Sequence, residues 1–311
     1  MDDLNQIEMI RAVEDLNRER ISLVNDSVAV ENERKSRLLN EIKHFRIHKL
    51  ISHIAVRLRP KISVAQSNCN MPKEKEYSLA KIGDPSLKVS VFTCITGKYD
   101  SPKPPYVHFP NCEYYIVSDG VSSNGWKQIN IDKELIAKYG ASLANRYVKF
   151  HPDEFFSKSH DYAIYLDGNI TPVSDLSVLT ELVDKDIGLA FHKHCSRNKL
   201  SEEYIACLNQ HKGNLNRLKS RVECFFKEGM PDDFGLIEGN FYVCDLKNPK
   251  AISLLHQCWD LLLKTEVGRD QIIWPYVLWK NNIKLDSIAT LGENVWKNVK
   301  ISVGKHGSYT D

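Results

Sequence analysis

The sequence lacks several features that would assign a chain to a class at once. The 311 residues contain no apolar run of about 18, so no membrane-spanning helix is predicted. The start, MDDLNQIEMIR, is acidic and has no apolar stretch, so no secretory signal is expected. Lysine plus arginine exceeds aspartate plus glutamate only by 42 to 40, which argues against nucleic-acid binding. We therefore expect a cytoplasmic protein.

Common catalytic and redox motifs are also absent. The chain has no GxxxxGK[ST], GxGxxG, GxSxG or HExxH pattern, and none of its eight cysteines forms a CxxC pair. Dispersed cysteines with apolar neighbours favour buried thiols over disulfides or a zinc site. His192 and His194, in FHKH, are interpreted as structural or solvent-facing rather than as zinc ligands.

The distribution of proline, glycine and charge predicts three regions. Proline is absent before Pro60 and glycine before Gly83, so residues 1–60 are predicted to form a helical extension. Residues 61–87 are predicted to form a polar linker, and residues 88–311 the main domain. Within the extension, residues 1–41 carry ten acids and six bases, whereas residues 42–61 carry six bases and no acid.

Each half of the extension has more than one open interpretation. Met9, Leu16, Leu23 and Val30 recur every seven residues, but the companion column is mostly polar, so a helix packed on its own domain or on a twin is favoured over a stable coiled coil. The basic segment 43–61 is amphipathic. It is suited to an anionic membrane surface, to a partner groove or to packing on the domain.

Residues 88–311 alternate short apolar runs with helical patterns. The predicted strands are Val89–Ile95, Tyr114–Ser118, Ala163–Leu166, Ile187–Phe191 and Phe241–Cys244, and the predicted helices are Glu202–Lys227, Pro249–Thr265 and Arg269–Trp279. Such alternation predicts an α/β fold with a mostly parallel sheet.

Four stretches carry residues suited to chemistry. In DYAIYLDGN, Asp167 and Asn169 follow a strand at i and i+2, where they suit one hard cation such as Mg²⁺ or Mn²⁺, although Asp-Gly-Asn is equally good turn chemistry. The other three are the loop in VFTCITGKYD, the basic pair Arg146 and Lys149 in NRYVKFHP, and the helix start GRDQ.

Taken in order, these stretches resemble a glycosyltransferase-like family once known only as a domain of unknown function. The quoted motifs are VFTCITGKYD, EYYIVSDG, NRYVKFHP, DYAIYLDGNI, EEYIAC, EGNFYVCD and GRDQIIWPYVLWK, which span roughly residues 88–282. The family includes bacterial polysaccharide-cluster enzymes and plant proteins linked to mucilage and ceramide turnover, and it resembles the retaining GT-A enzymes of glycosyltransferase family eight. The resemblance implies a GT-A-like, Rossmann-like α/β fold with a mixed, mostly parallel sheet flanked by helices, behind the N-terminal helical extension.

The resemblance also implies roles for individual residues. Nucleotide contacts are implied for Thr93, Thr96, Gly97, Tyr99, Asp119, Arg146 and Lys149; metal ligation for Asp167, Asn169 and His306; and contacts with the transferred sugar or acceptor for Asp270, Gln271 and Glu238. Glu203 and Asn240 match further cleft positions. The motif Asp-Gly-Asn departs from Asp-x-Asp, and an amide is a weaker metal ligand than a carboxylate.

The resemblance implies a function with two alternatives. The expected protein is a cytoplasmic glycosyltransferase that uses a nucleotide diphosphate sugar and Mn²⁺ or Mg²⁺ to modify a glycan or lipid-linked glycan. Peripheral attachment to the inner face of the membrane through 43–61, and a homodimer through the N-terminal helix, remain open. The alternatives are a ceramidase-like lipid amidase or hydrolase, and a catalytically inactive GT-A scaffold that binds partners.

Overall fold

The computed structural model describes residues 6–24 and 81–307. The strands in these residues are β1 Val89–Ile95, β2 Cys112–Ser118, β3 Lys127–Asn130, β4 Tyr162–Leu166, β5 Ile170–Pro172, β6 Leu189–Lys193, β7 Ile237–Asp245 and β8 Ile301–Val303. The helices are α1 at residues 6–24, α2 Lys133–Phe150, α3 Pro152–Phe156, α4 Leu200–Gln210, α5 Leu215–Lys227, α6 Pro249–Thr265, α7 Asp270–Lys280 and α8 Leu285–Ile288. Two 3₁₀ turns lie at Ser177–Leu182 and Val295–Lys297.

The main sheet has six strands in the order β3-β2-β1-β4-β7-β6, and β5 pairs with β8 in a small second sheet. Strands β1 to β4 are mutually parallel where they pair, and β7 is antiparallel to both β4 and β6. Strand β6 therefore runs in the same direction as the first four. The mixed, mostly parallel sheet flanked by helices, which was expected as a GT-A-like fold, is confirmed.

The sheet is covered on both faces, which explains its continuous apolar strands. Every residue of β1 is buried. Side chains alternate between the two faces. Phe92 and Cys94 join a cluster with α2, α6 and α7, whereas Val89 and Val91 join a second cluster that includes Ile10 of α1.

The predicted helix Glu202–Lys227 is wrong as a single element. The structure contains α4 and α5, separated at residues 211–214. His211 adopts a left-handed conformation with φ 52°, which ends α4. The Asn214 side chain then accepts a hydrogen bond from the Arg217 amide and begins α5.

Seven of the eight cysteines are described, and all seven are free thiols. Five of them are buried, as expected, but Cys195 is exposed and Cys224 is intermediate.

Helix α1 docks on the domain through a polar face. Glu14 is 2% exposed, and its Oε1 lies 2.6 Å from the Nζ of Lys300, which is 1% exposed. Asn17 donates to the carbonyl oxygens of Val299 at 2.7 Å and Ile301 at 2.9 Å. The helix is thereby held against the segment that forms β8.

The heptad column of the sequence lies mostly on the other side of α1. Met9 contacts the core, but Leu16 and Leu23 are 67% and 63% exposed. Ile10, Glu14 and Asn17 form the buried face instead, at i, i+4 and i+7.

Residues 25–80, which include Val30, the basic segment 43–61 and most of the predicted linker, lie outside the described residues. The predicted domain boundaries therefore stay a prediction. Among the helices that are described, none combines the length and apolarity needed to cross a bilayer.

Replacing Glu14 with alanine should lower the free energy of unfolding by about 3–5 kcal/mol, because the charge of Lys300 would remain buried without its partner. Urea unfolding at neutral pH measures this. Leu16→Ala, on the exposed side of the same helix, should change stability by less than about 0.5 kcal/mol. A Glu14→Ala protein as stable as the Leu16→Ala protein would contradict the predicted role of the pair.

Candidate active site

The topology brings the predicted site residues to one edge of the main sheet. The carboxyl ends of β1, β2, β4 and β6 and the amino end of β7 meet at this edge. In α/β sheets, ligands bind beyond the carboxyl ends of the parallel strands. Along the edge, the predicted loop residues 96–99 and Asp119 follow β1 and β2, the predicted metal residues Asp167 and Asn169 follow β4, and Glu238 is the second residue of β7. The basic pair at 146 and 149 lies in α2 instead, and His306 follows β8.

The loop after β1 is ordered by two side chains. Gly97 adopts φ 63°, and its amide donates to the Asp119 carboxylate at 2.9 Å, so Asp119 supports the loop from the end of β2. The Thr96 hydroxyl donates to the Ala141 carbonyl at 2.8 Å. Tyr99 is 64% exposed at the tip of this loop. The hydroxyl oxygen of Thr93 is buried without a hydrogen-bond partner.

Asp167 ends β4 in a desolvated position. Its backbone amide donates to the Asn240 carbonyl at 2.9 Å, and its Oδ1 accepts from the Tyr165 hydroxyl at 2.8 Å. Burial raises the pKa of the Asp167 carboxyl, and the positive charge of Lys149 opposes this rise. The negative charge of an ionised Asp167 is therefore only partly balanced by the positive charge near it.

Asn169 leaves one buried oxygen without a hydrogen bond. Its Nδ2 donates to the Gly304 carbonyl at 2.9 Å, while its Oδ1 has no partner. Buried polar atoms nearly always have partners, so an unpaired oxygen beside Asp167 is suited to a ligand. Carboxylate and amide oxygens fit a hard divalent cation such as Mg²⁺ or Mn²⁺.

His306 reaches this region through Asp100, an acid that the sequence analysis did not assign. His306 Nδ1 lies 2.9 Å from Asp100 Oδ2, and the two rings of His306 and Tyr99 lie 5.4 Å apart. Asp100 is 4% exposed. The sequence feature that could have identified Asp100 is its position in VFTCITGKYD, after the glycine turn.

Asp100, Asp167 and His306 do not bring their ligand atoms within 4.8 Å of one another. Among the described residues, the set that meets this distance consists of His194, Cys195 and Glu238.

Lys149 and Asp270 form a buried ion pair. Lys149 Nζ lies 2.5 Å from Asp270 Oδ2, and the two residues are 5% and 8% exposed. Burial alone would raise the pKa of Asp270, but the charges of Lys149, Arg146 and Arg269 outweigh it and hold that pKa well below its ordinary range. Asp270 is thus an ionised carboxylate at any pH near neutrality.

The ion pair of Lys149 and Asp270 lies next to β7, at Gly239. A Cβ at Gly239 would lie 3.4 Å from Asp270 Oδ2 and 3.7 Å from Lys149 Nζ. Lys149 Nζ also lies 4.9 Å from the centre of the Tyr165 ring, a cation–π distance. Lys149 therefore acts first as the partner of Asp270.

Arg146 lies one helical turn before Lys149. One of its terminal nitrogens donates to the Ser142 hydroxyl at 2.8 Å, and the other to the Gly268 carbonyl at 3.4 Å. Its Nε is buried without a partner. Arg146 thus retains a donor for a ligand.

A cavity of about 270 Å³ lies at the β6–β7 side of the edge. Its wall includes the predicted residues Glu238 and Gln271, and Glu203 and Asn240, which the resemblance placed in the cleft. Further lining residues are His194, Cys195, Ser196, Arg197, Ala206, Cys207, Gln210, Lys212, Arg269 and Trp296.

Glu238 and Gln271 contact each other across the cavity wall. Gln271 Nε2 donates to the Ile237 carbonyl at 3.2 Å and to Glu238 Oε2 at 3.4 Å. The Cys195 amide donates to Glu238 Oε1 at 3.4 Å. Burial raises the pKa of Glu238, because desolvation outweighs these hydrogen bonds.

Behind the cavity, Glu203 is 1% exposed and binds two arginines. Arg197 Nη2 lies 2.8 Å and Arg269 Nη2 lies 3.4 Å from its carboxylate oxygens. This buried group fixes both guanidinium groups at the cavity. Neither arginine was assigned by the sequence analysis, because nothing in their local spacing distinguishes them from surface cations.

His192 and His194 have different environments, and neither is solvent-facing. His192 is fully buried and its Nε2 lies 3.0 Å from Asn298 Nδ2. His194 lines the cavity, where burial and the charge of Arg197 lower its pKa to about 3. His194 is therefore a neutral imidazole at the site, which the sequence analysis did not anticipate.

No known family model matches the chain, and no curated protein matches it. Several solved glycosyltransferases are similar in structure. The galactosyltransferase LgtC, in complex with donor and acceptor sugar analogues, is 14% identical, with 61% of this chain and 70% of LgtC covered and a TM-score of 0.38.

The bifunctional glycosyltransferase WbbM is 12% identical, with 62% of this chain covered and a TM-score of 0.41. The match spans only 37% of WbbM. Mouse xyloside xylosyltransferase 1 is 11% identical, with 70% of this chain and 98% of that chain covered and a TM-score of 0.40. Each of these likenesses is distant.

Gly168→Ala should destabilise the protein by about 1–3 kcal/mol, because the new Cβ would lie 2.7 Å from Asp100 Cβ. Thermal or urea unfolding measures the change. Gly307→Ala is the matched control, since no atom lies within 4 Å of a Cβ there. Combining Gly168→Ala with Asp100→Gly should recover part of the loss. Equal stability of the Gly168→Ala and Gly307→Ala proteins would show that Asp100 is not packed against Gly168.

Proposed function

We propose that this chain is a glycosyltransferase that transfers a hexose-type sugar from a nucleotide diphosphate sugar to a glycan or lipid-linked glycan. The observation that carries the proposal is the order of groups along one sheet edge. A glycine turn comes first, then Asp167 with the unpaired oxygen of Asn169, then Asp270 and a polar cavity. A donor that joins a nucleotide, a diphosphate and a sugar needs these groups in this order.

The nucleotide would lie over β1 and β2, against Thr93 of β1 and the loop that contains Thr96, Gly97 and Tyr99. Asp119 would act by holding the Gly97 amide in place, since its carboxylate is engaged there at 2.9 Å. Tyr99 is exposed at the loop tip and offers an aromatic face to a base.

Asp167 and Asn169 would hold the divalent cation, with His306 as a further ligand steadied by Asp100. The ion, when bound, supplies charge to the departing diphosphate. Arg146 would donate to the same phosphate oxygens through its Nε, which has no partner within the protein. Lys149 contributes positive charge from a fixed position, because Asp270 holds it.

In the transfer step, the bond between the anomeric carbon and the phosphate oxygen breaks, and a bond to the acceptor hydroxyl oxygen forms. In a retaining reaction the hydroxyl attacks from the face that the phosphate leaves, and its proton passes to a phosphate oxygen. Asp270 is ionised and accepts hydrogen bonds from the sugar hydroxyls. Gln271 and Glu238, which line the cavity, would orient the acceptor from the other side.

One observation favours the hydrolase alternative. His194, Cys195 and Glu238 could supply a zinc site, because their ligand atoms lie within 4.8 Å of one another. Against it, Arg197 Nη2 lies 2.8 Å from His194 Nε2, and the Arg197 and Ser196 amides donate to Nδ1. Both ring nitrogens therefore face donors. Stoichiometric zinc in purified protein, measured by mass spectrometry, would favour the hydrolase.

Asp167→Asn should lower turnover of nucleotide sugars by about 100-fold while the fold is kept. The substitution removes the negative charge that would hold the divalent cation at the diphosphate. Turnover is measured with a panel of nucleotide sugars, with and without Mn²⁺. Asp260→Asn, at an exposed position of α6, is the control and should be fully active. Unchanged turnover of the Asp167→Asn protein would rule out a metal role for Asp167. No donor binding by the folded wild type would overturn the proposed function.

We further propose that the basic segment 43–61 attaches the protein to anionic membranes. Sedimentation with phosphatidylserine vesicles should be lost on deletion of residues 42–61. It should also be lost near 1 M salt, where the screening length is about 3 Å. Binding equal to that of phosphatidylcholine vesicles would contradict the proposal.

A further inference from the structure

The cavity has an exposed aromatic wall. Of the five tryptophans in the chain, all within the described residues, Trp296 alone is exposed, with 49% of its surface accessible. It lines the cavity together with Glu238, Asn240 and Gln271. An aromatic side chain in the wall of a cavity that also carries polar groups is typical of a small-molecule binding site.

The position of Trp296 is fixed by its neighbours. The Asn294 side chain accepts a hydrogen bond from the Trp296 amide at 2.9 Å, and Val295 is fully buried. Asn298, which is 1% exposed, donates from its side chain toward His192 Nε2 at 3.0 Å. The 3₁₀ turn is thus anchored on both sides, so the indole is presented by a rigid element.

The other wall offers hydrogen-bonding groups suited to hydroxyls. Asn240 Oδ1 is buried without a partner, although the residue lines the cavity. Glu238 and Gln271 add a carboxyl and an amide. A pyranose has an apolar C–H face and a rim of hydroxyls, so one aromatic wall and one amide-and-carboxyl wall match its two surfaces.

The cavity lies on the acceptor side of the proposed donor site. It adjoins β6 and β7, whereas the proposed nucleotide loop follows β1, on the far side of β4. Its volume of about 270 Å³ lies near the lower end of the range for small-molecule pockets, roughly 300–1,000 Å³, which suits one sugar unit.

We propose that Trp296 is the stacking platform for the terminal pyranose of the acceptor, with Asn240 as its buried hydrogen-bond partner. This inference rests on the proposed function and deepens it, because it assigns the cavity to the acceptor sugar rather than to the donor.

The test uses the full-length protein and two separate binding measurements. Saturation-transfer NMR reports binding of the methyl α- and β-glycosides of glucose, galactose and mannose. Calorimetry reports binding of UDP and GDP in the presence of Mn²⁺. Trp296→Ala should weaken glycoside binding about tenfold or more and leave nucleotide binding unchanged, while Trp296→Phe should restore most of the glycoside binding. Tyr106→Ala, at an aromatic residue that is 57% exposed and does not line the cavity, should change neither.

Three results would overturn the inference. The first is a wild-type protein that binds none of the glycosides, and the second is glycoside binding that survives Trp296→Ala. The third is loss of nucleotide or donor-sugar binding in the Trp296→Ala protein, which would assign the cavity to the donor. A wild type that binds glycosides but no nucleotide would instead refute the proposed function and leave the stacking role standing.

Discussion

The buried ion pair between Lys149 and Asp270 is the contact on which the geometry of the candidate site depends. It joins the end of α2 to the start of α7 at Gly239 of β7, so it connects two helices and the sheet at one point. Removing one partner of such a pair leaves an uncompensated buried charge, at a cost of about 3–5 kcal/mol. Arg146 lies on the same helix as Lys149, one turn before it, and Gln271 directly follows Asp270. Lys149 and Asp270 therefore both hold the structure together and belong to the candidate binding site.

Electrostatic balance explains the arrangement around this pair. The acids at the edge fall into two groups. Asp270 has a depressed pKa, whereas Asp167 and Glu238 have raised pKa values because burial outweighs their partners. Cations fixed by Asp270 and Glu203 cannot neutralise every carboxylate. The uncompensated charge falls at Asp167, next to the unpaired oxygen of Asn169, and this is where an added cation would be most favourable.

Local sequence patterns predicted the sheet well. Features that depend on contacts between distant residues could not be predicted from those patterns. The strand Val89–Ile95 and the helix Pro249–Thr265 were predicted with their observed bounds, because an unbroken apolar strand and an Asn-Pro helix start are local signals. The division between α4 and α5 was missed, since it depends on a left-handed His211 that the helical periodicity does not reveal. Asp100 and Arg269 stand inside the stretches VFTCITGKYD and GRDQ but were assigned no role, and Trp296 stands outside all the quoted stretches. Their environment depends on residues far along the chain, such as His306 for Asp100 and Glu203 for Arg269.

The docking of α1 has a consequence for the order in which the molecule can assemble. The hydrogen bonds from Asn17 to β8 and its flank join residues 282 and 284 positions apart, and the ion pair of Glu14 joins residues 286 positions apart. Contacts of such long range carry a large loop-closure entropy and form late. During synthesis α1 emerges well before its partner strand, because all strands of the main sheet lie between them in the chain. The contacts between α1 and the segment that forms β8 can therefore form only after every strand of the main sheet has been synthesised, so the sheet can be complete before the site is.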